Sequence, residues 1–419
     1  MSVIVSDLKT IQDIIDKTEN KEIWFCPRLF DHLYSDTDGS WKVCCIGREN
    51  GLGMNVRNTT PAEWLNSDVM NSVRREMLRG EVGPNTTRQC SRCIVQEKEY
   101  GTSDRMHHLK DLKDEDAVYN QVLDQVLDYI KTNDYNLKER LIILQTRIFG
   151  NQCNLDCYMC QPQNSTTRQS SNNKIDFNKY IAFDPENKPL TKLSAIDTVD
   201  EIKKLAPYIR SFLIQGGEPL VMKKQFEFLD FLIEEGHAEY INLDMNSNLT
   251  VLGTTKYNIL DYATKFANFS VQVSLEGVGK YNDYIRRRSN WDTIVNNVKE
   301  LRKVASYVGV FSTVSLLSIL RFDELINWCT EEDLHQNMFV IDDPDELHPK
   351  HLPQLIKDKL IKKYEGYDVI TSALKMQGDP AKFKKAIQYI KATDKLYQTN
   401  IYDLYIELEE YDDDAATTE

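Results

Sequence analysis

The sequence predicts an α/β protein with a parallel sheet at its centre, a small cysteine-rich unit ahead of it and a helical extension behind. Three observations lead there. Between residues 141 and 345, six apolar runs alternate with stretches of helical periodicity, and strands that alternate with helices pair in parallel through helical crossovers. Five of the nine cysteines (Cys26, Cys44, Cys45, Cys90 and Cys93) fall within the first 105 residues. Beyond Asp343 the pattern is helical and rich in Lys and Tyr. A chain of 419 residues has the length for two or three domains and a large buried core.

Residues 1–105 read as the first unit. After a short helical start, the run from Trp24 to Cys45 alternates around Asp38-Gly39, a hairpin signal. A helix follows from about Val69 to Arg79, and then Cys90-Ser-Arg-Cys93. Residues 106–140 read as an acidic helical linker whose apolar stripe is Val118, Val122, Leu123, Val126, Leu127 and Ile130. In the central unit, residues 141–345, the strand candidates are Leu141–Ile148, Ser211–Gln215, Tyr240–Asn246, Phe269–Leu275, Val308–Leu316 and Asn337–Asp342. Helical patterns lie between them at Thr198–Ile209, Gln225–Glu235, Tyr257–Phe266 and Trp291–Val304. In the second of these, Phe228, Leu229, Phe231 and Leu232 are expected to face the sheet. The polar, weakly periodic stretch Gln161–Lys192 reads as an inserted loop near the first strand. Residues 346–419 read as the helical extension, which closes in an acidic stretch, Glu407 to Asp414, whose end is expected to be disordered.

The chemistry concentrates in Cys153-Asn-Leu-Asp-Cys157-Tyr-Met-Cys160, a C-x3-C-x2-C motif after the first central strand. Three thiolates hold three irons of a [4Fe–4S] cube and leave the fourth open to a small molecule, whereas a fourth cysteine closes the cube into an electron-transfer centre. The spacing differs from the paired C-x2-C knuckles of a structural zinc site. Downstream, a short apolar strand ends in Gly216-Gly217-Glu218-Pro219. Glycines there let the backbone approach a ligand, and a carboxylate is a partner for an ammonium group. Two later strands end in Asn246-Ser247-Asn248 and in Ser274-Leu275-Glu276.

In this order the motifs resemble the core of the radical S-adenosylmethionine (radical SAM) enzymes, over roughly residues 141–345. The resemblance implies a partial (β/α)6 barrel with its chemistry at the C-terminal strand ends. It also implies a [4Fe–4S] cluster on Cys153, Cys157 and Cys160 that cleaves S-adenosylmethionine reductively to a 5′-deoxyadenosyl radical, which abstracts hydrogen from a substrate. Gly216, Gly217 and Glu218, followed by Pro219, would take the methionyl ammonium. Asn246, Ser247 and Asn248 match the family's ribose contacts, and Ser274 and Glu276 a polar pair. One of Arg286, Arg287 and Arg288 would pair with the methionyl carboxylate. Many members place an aromatic residue just before the third cysteine; here Met159 stands there and Tyr158 one position earlier, and a thioether also packs against a purine. The first unit looks like the SPASM/twitch auxiliary-cluster domains, although those usually follow the barrel. Cys26, Cys44, Cys90 and Cys93 make a four-thiolate set suited to a second [4Fe–4S] cluster or to zinc. Cys45 is either a spare thiol or a replacement for Cys44.

These readings imply an unidentified substrate, peptide or small molecule, and an electron donor such as a flavodoxin or ferredoxin. The competing reading is a non-catalytic Fe–S or zinc scaffold. A net charge of −14 speaks against bulk nucleic-acid binding. No apolar run reaches the length of a membrane span, and Met1-Ser-Val-Ile-Val-Ser-Asp lacks the pattern of a signal peptide, so a cytoplasmic location is expected. Cys329 reads as a buried core thiol, and the histidines, among them His107, His108, His348 and His351, as surface residues.

Overall fold

The computed structural model describes residues 13, 16–18, 24–47, 53–80, 82–114, 116–183 and 194–412. Most of the helical start expected before Trp24, part of the insertion before Lys192, and the tip of the acidic tail fall outside the described residues; residues 13 and 16–18 of that start are helical. Among the described residues ten strands are present. They are β1 (His32–Ser35), β2 (Trp41–Lys42), β3 (Ile142–Thr146), β4 (Asp156–Cys157), β5 (Ile209–Ile214), β6 (Asn242–Ser247), β7 (Asn268–Ser274), β8 (Arg286–Arg287), β9 (Tyr307–Val314) and β10 (Gln336–Val340).

Eight of them form one sheet in the order β10-β9-β7-β6-β5-β3-β1-β2. From β3 to β10 every pairing is parallel, as the strand–helix alternation requires. The six predicted strands are all present, within two residues at their starts. Their helices cover the sheet. Lys223–Glu234 buries Phe226, Phe228, Leu229 and Leu232, and Phe212 of β5 meets Phe228 edge-on with ring centroids 5.4 Å apart. Phe231 stays half-buried on the helix flank.

Two expected helices are shorter than their patterns. Thr198–Ile209 breaks into Asp200–Lys203 and a turn at Ala206–Tyr208, because Pro207 offers no N–H to a continuing helix and Ile209 already belongs to β5. Of Tyr257–Phe266 only Leu260–Ala263 is helical. Residues 253–258 close a turn on themselves, with Thr254 N–H donating to the Tyr257 carbonyl at 2.8 Å.

The first unit is built onto this sheet. β1 pairs in parallel with β3, His32 opposite Ile143 and Tyr34 opposite Gln145, and its four residues are all buried. A parallel edge left at β3 would expose unpaired backbone groups; β1 takes them up. β1 and β2 form the expected hairpin around Asp38-Gly39, Tyr34 opposite Lys42. The stretch expected as a linker is packed too. Val122, Val126 and Tyr129 on helix Asp116–Thr132 are buried, and Arg74 beside them donates to the Leu29 carbonyl at 2.9 Å while lying 4.5 Å over the Tyr135 ring.

The insertion is helical where it is described. Ser165 caps Thr166–Ile175 by accepting from Arg168 N–H at 3.2 Å, and Arg168 is fully buried, so the helix is held by a side chain that a polarity scan assigns to solvent. The extension folds back on the barrel through Gln354–Lys363, Asp368–Lys375 and Pro380–Tyr397. Part of the acidic closing stretch is anchored: Leu408 is buried, Glu407 pairs with Arg321 at 2.5 Å and Asp412 with Lys391 at 2.7 Å.

The reading of the histidines as surface residues is corrected for His32, His348 and His351: all three are buried. The turn at 345–351 tucks under helix Pro380–Tyr397, where His351 Nδ1 accepts from Asp379 N–H at 2.9 Å and Nε2 lies 3.1 Å from Asp345. His107 is exposed, His108 is half-buried against Arg28, and Cys329 is buried as expected. Among the described residues no helix is long and apolar enough to cross a membrane.

Candidate active site at the strand ends

The C-terminal ends of the parallel strands surround a cavity of about 440 Å³. Cys153, Cys157 and Cys160 line it together with Gly216, Gly217, Glu218, Asn246, Asn248, Ser274, Arg286 and Met159. Motifs up to 133 residues apart in sequence thus share one concavity, within the size range of small-molecule sites. Pro219 and Glu276 lie behind this lining, Pro219 opening the turn Pro219–Val221 and Glu276 buried beneath Arg286.

The cysteine loop is held from two sides. On one, Gly217 packs directly on it: a Cβ at this position would stand 2.1 Å from the Gln152 carbonyl oxygen and 2.6 Å from the Asn151 backbone. The adjoining Glu218 N–H donates to the same Gln152 oxygen at 2.7 Å. On the other, β4 and β8 form a two-residue antiparallel ladder, Cys157 opposite Arg286 and Asp156 opposite Arg287. This register separates Arg286 from Arg287, while Arg288 follows the ladder and is exposed. Arg286 faces the cavity, doubly paired with Glu276, with Nη1 3.8 Å from Cys157 Sγ. Arg287 points to the opposite side and pairs with Asp394, and Tyr158 is buried with it.

The polar residues at the strand ends are already tied to one another. Glu218 accepts from Ser247 Oγ at 2.8 Å, Asn248 N–H at 2.7 Å and Leu220 N–H at 3.0 Å, leaving about one of the four lone-pair positions of a carboxylate for a ligand. Burial pushes its pKa up against those bonds. Asn248 donates to Asn154 of the cysteine loop at 3.0 Å. Burial raises the thiols of Cys153, Cys157 and Cys160 to about 12, so they become thiolates only as metal displaces their protons.

Cys26, Cys44, Cys90 and Cys93 share a second neighbourhood. Burial raises all four thiols, and Cys44 feels the charge of Cys45 and of each of the other three. Cys45 turns the other way: it lines the cavity, and its leading charged neighbours are Asp104, Arg28 and Arg147. Among the described residues no three His, Cys, Asp or Glu side chains converge as a ready-made site for a single ion. If the four-thiolate set omits Cys45, Cys44→Ser lowers the metal bound per chain by the share of this set while Cys45→Ser leaves it intact; equal losses in metal analysis would refute that division.

Sequence reasoning missed the residues that the hairpin brings in. Asp36, Thr37, Asp38, Lys42 and Cys45 line the cavity beside Arg147 because β1 runs parallel to β3, which puts its following turn at the active end of the sheet. Lys42 pairs with Asp36 at 2.6 Å. Burial alone would raise the Asp36 carboxyl; Lys42 and Arg147 hold it down at about 2. No signal in the sequence links residues 36–45 to residues 153–160.

Residues 148–327 match the family model of the radical SAM superfamily. The chain carries a radical SAM domain. The match begins as the chain leaves β3 and ends within helix Phe322–Glu331, so the radical SAM domain contains all three motif cysteines, the Gly-Gly-Glu-Pro turn and the three arginines. No curated protein matches the chain. Among solved structures, native anSMEcpe with bound AdoMet aligns at 16% identity and a TM-score of 0.37, covering 54% of this chain and 59% of that one. Streptococcus suis SuiB bound to S-adenosylmethionine aligns at 13% identity and a TM-score of 0.38, covering 75% and 66%. SuiB bound to precursor peptide SuiA gives 14%, 0.36, 75% and 64%. The chain thus spans about three fifths of the length of anSMEcpe.

Proposed function

We propose that the protein is a radical SAM enzyme acting on a peptide, protein or small-molecule substrate held in the strand-end cavity. One observation carries this reading: the C-x3-C-x2-C loop, the Gly-Gly-Glu-Pro turn and the polar ends of β6 and β7 line a single cavity within a radical SAM domain. The residues fit the implied groups. The donor set is three cysteines outside any disulfide, and Gly216 and Gly217 let the turn pack against the backbone of residues 150–152, just ahead of Cys153, where a Cβ would clash.

Cys153, Cys157 and Cys160 would hold a [4Fe–4S] cluster, whose chemistry when bound is to pass one electron to the sulfonium of S-adenosylmethionine, releasing a carbon radical that takes hydrogen from the substrate. The chain's own part is positioning and exclusion. Gly216 and Gly217 would offer backbone groups to the methionyl ammonium, with the remaining lone pair of Glu218. Asn246, Asn248 and Ser274, which line the cavity, would take the adenosyl portion, and Met159 would pack against the purine. Arg286, its charge shared with Glu276, keeps Nη1 beside Cys157, where a positive charge favours the thiolate. The hairpin residues Asp36 to Lys42 wall the cavity beside Arg147 and narrow water access. Cys26, Cys44, Cys90 and Cys93 would hold a second [4Fe–4S] cluster or zinc, and a flavodoxin- or ferredoxin-class donor would supply electrons in a reducing cytoplasm.

The test is direct. Protein reconstituted without oxygen and given dithionite and S-adenosylmethionine should form 5′-deoxyadenosine. About eight irons per chain would indicate two cubes and about four a single cube. Bound iron with no 5′-deoxyadenosine would instead identify a non-catalytic scaffold.

A further inference from the structure

The ladder that carries Cys157 has a second face. Successive side chains of a strand point to opposite sides. In the β4–β8 register, Cys157 and Arg286 look into the cavity while Asp156 and Arg287 look away. Behind the ladder lies helix Pro380–Tyr397, outside the matched domain. Its Asp394 is ion-paired with Arg287 and accepts from Tyr158 Oη at 3.0 Å, Tyr284 Oη at 3.0 Å and Thr399 Oγ1 at 2.7 Å. Asp156 accepts from Arg168 Nη1 at 2.8 Å, Ser171 Oγ at 2.5 Å and Tyr397 Oη at 2.6 Å. Both carboxylates are buried.

The same network grips the backbone of the cysteine loop. Tyr389 Oη donates to the Tyr158 carbonyl at 2.8 Å, and Arg168 donates to the carbonyls of Tyr158 and Cys160, each at 3.2 Å. Tyr158 N–H donates to the Ile285 carbonyl at 3.1 Å. Desolvating two guanidinium–carboxylate pairs is costly, and well-packed apolar side chains often give equal stability. What several donors converging on each carboxylate do supply is geometry, because each oxygen's position is over-determined.

We infer that Asp394 and Asp156 are positioning residues for the cysteine loop, and that helix Pro380–Tyr397 is thereby part of the metal site. Neither carboxylate touches the cavity; each acts through the ladder and the loop backbone on where Cys157 and Cys160 place their sulfurs. The inference rests on the reading of Cys153, Cys157 and Cys160 as cluster ligands, and the experiment separates the two.

The variants are Arg287→Gln combined with Asp394→Asn, which removes both charges together, and Tyr158→Phe and Tyr397→Phe, which each remove only a hydroxyl. Each is reconstituted anaerobically in the full chain. Iron release to a chelator, the EPR spectrum of the reduced protein with and without S-adenosylmethionine, and thermal melting are then compared. Only a cluster with an open iron shifts its spectrum when the sulfonium compound binds. The expected result is several-fold faster iron release and a weakened shift, in protein that still melts cooperatively. Should the double variant fail to fold, the two hydroxyl deletions decide. Folded variants with the wild-type release rate and the wild-type shift would overturn the inference. A wild-type protein with no responsive signal would defeat the cluster reading itself.

Discussion

Replacing Cys157 with alanine is expected to abolish 5′-deoxyadenosine formation and remove the iron bound at the strand-end cavity, while metal at Cys26, Cys44, Cys90 and Cys93 stays. The loss should be complete, because two thiolates cannot grip a cube through three corners. Cys157 sits centrally in the loop, locked opposite Arg286 in the β4–β8 ladder, so no neighbouring thiol can swing into its place without breaking that ladder. Cys45 lines the same cavity but belongs to the hairpin, and Arg147 and Arg28 rather than the three motif cysteines are prominent among its charged neighbours. Cys329→Ala is the control: this thiol is buried on helix Phe322–Glu331, and its loss should cost about 1 kcal/mol, the scale of one buried methylene, with turnover unchanged. Iron analysis of Cys157→Ala that matched the wild type would show that the cavity cysteines are not ligands. Loss of metal from both places would show that the two sites are not independent.

Gly217→Ala is expected to have the second largest effect. The added methyl would stand 2.1 Å from the Gln152 carbonyl oxygen and 2.6 Å from two Asn151 backbone atoms. All of these are main chain, so no side chain can rotate away. The loop ahead of Cys153 must move, and with it the bond from Glu218 N–H to the Gln152 oxygen. Overpacking of this kind costs about 1–3 kcal/mol. Because the displaced segment leads straight into Cys153, iron loading and affinity for S-adenosylmethionine should both fall by far more than the melting temperature suggests. Equilibrium binding to the reconstituted protein measures this; loading and affinity equal to the wild type would mean that the close approach of Gly217 is incidental.

These two expectations rest on residues whose chemistry is legible one letter at a time. The strands were legible for a different reason: apolar residues recur in them with the period of a strand, as in β6 and β7, where every second residue is apolar and buried or closes the strand, and all six in the central region are where the patterns lie. β1 gave a weaker signal. His32-Leu-Tyr-Ser35 is short and half polar, and its role as a neighbour of β3 depends on a pairing across more than 100 residues. The cavity's hairpin wall therefore went unseen. The buried ionic groups were illegible as well. Arg168, Asp156 and Asp394 look like solvent-facing residues until their partners, as many as 241 residues away, are brought alongside.

Choices between neighbours in sequence show the same division. Arg286 and Arg287 are chemically identical, and only the register of β8 against β4 sends one to the cavity and the other to Asp394. Cys44 and Cys45 are separated by the turn after β2, which leaves Cys44 with Cys26, Cys90 and Cys93 and Cys45 at the cavity wall. The sequence by itself determined which kinds of side chain this protein brings to its strand ends, since ligand type and short spacing are local properties of the chain. The tertiary structure decided which copy of each residue faces the site, which elements wall it in and what holds the cysteine loop still, since these depend on strand register and on contacts between distant segments that no local pattern encodes.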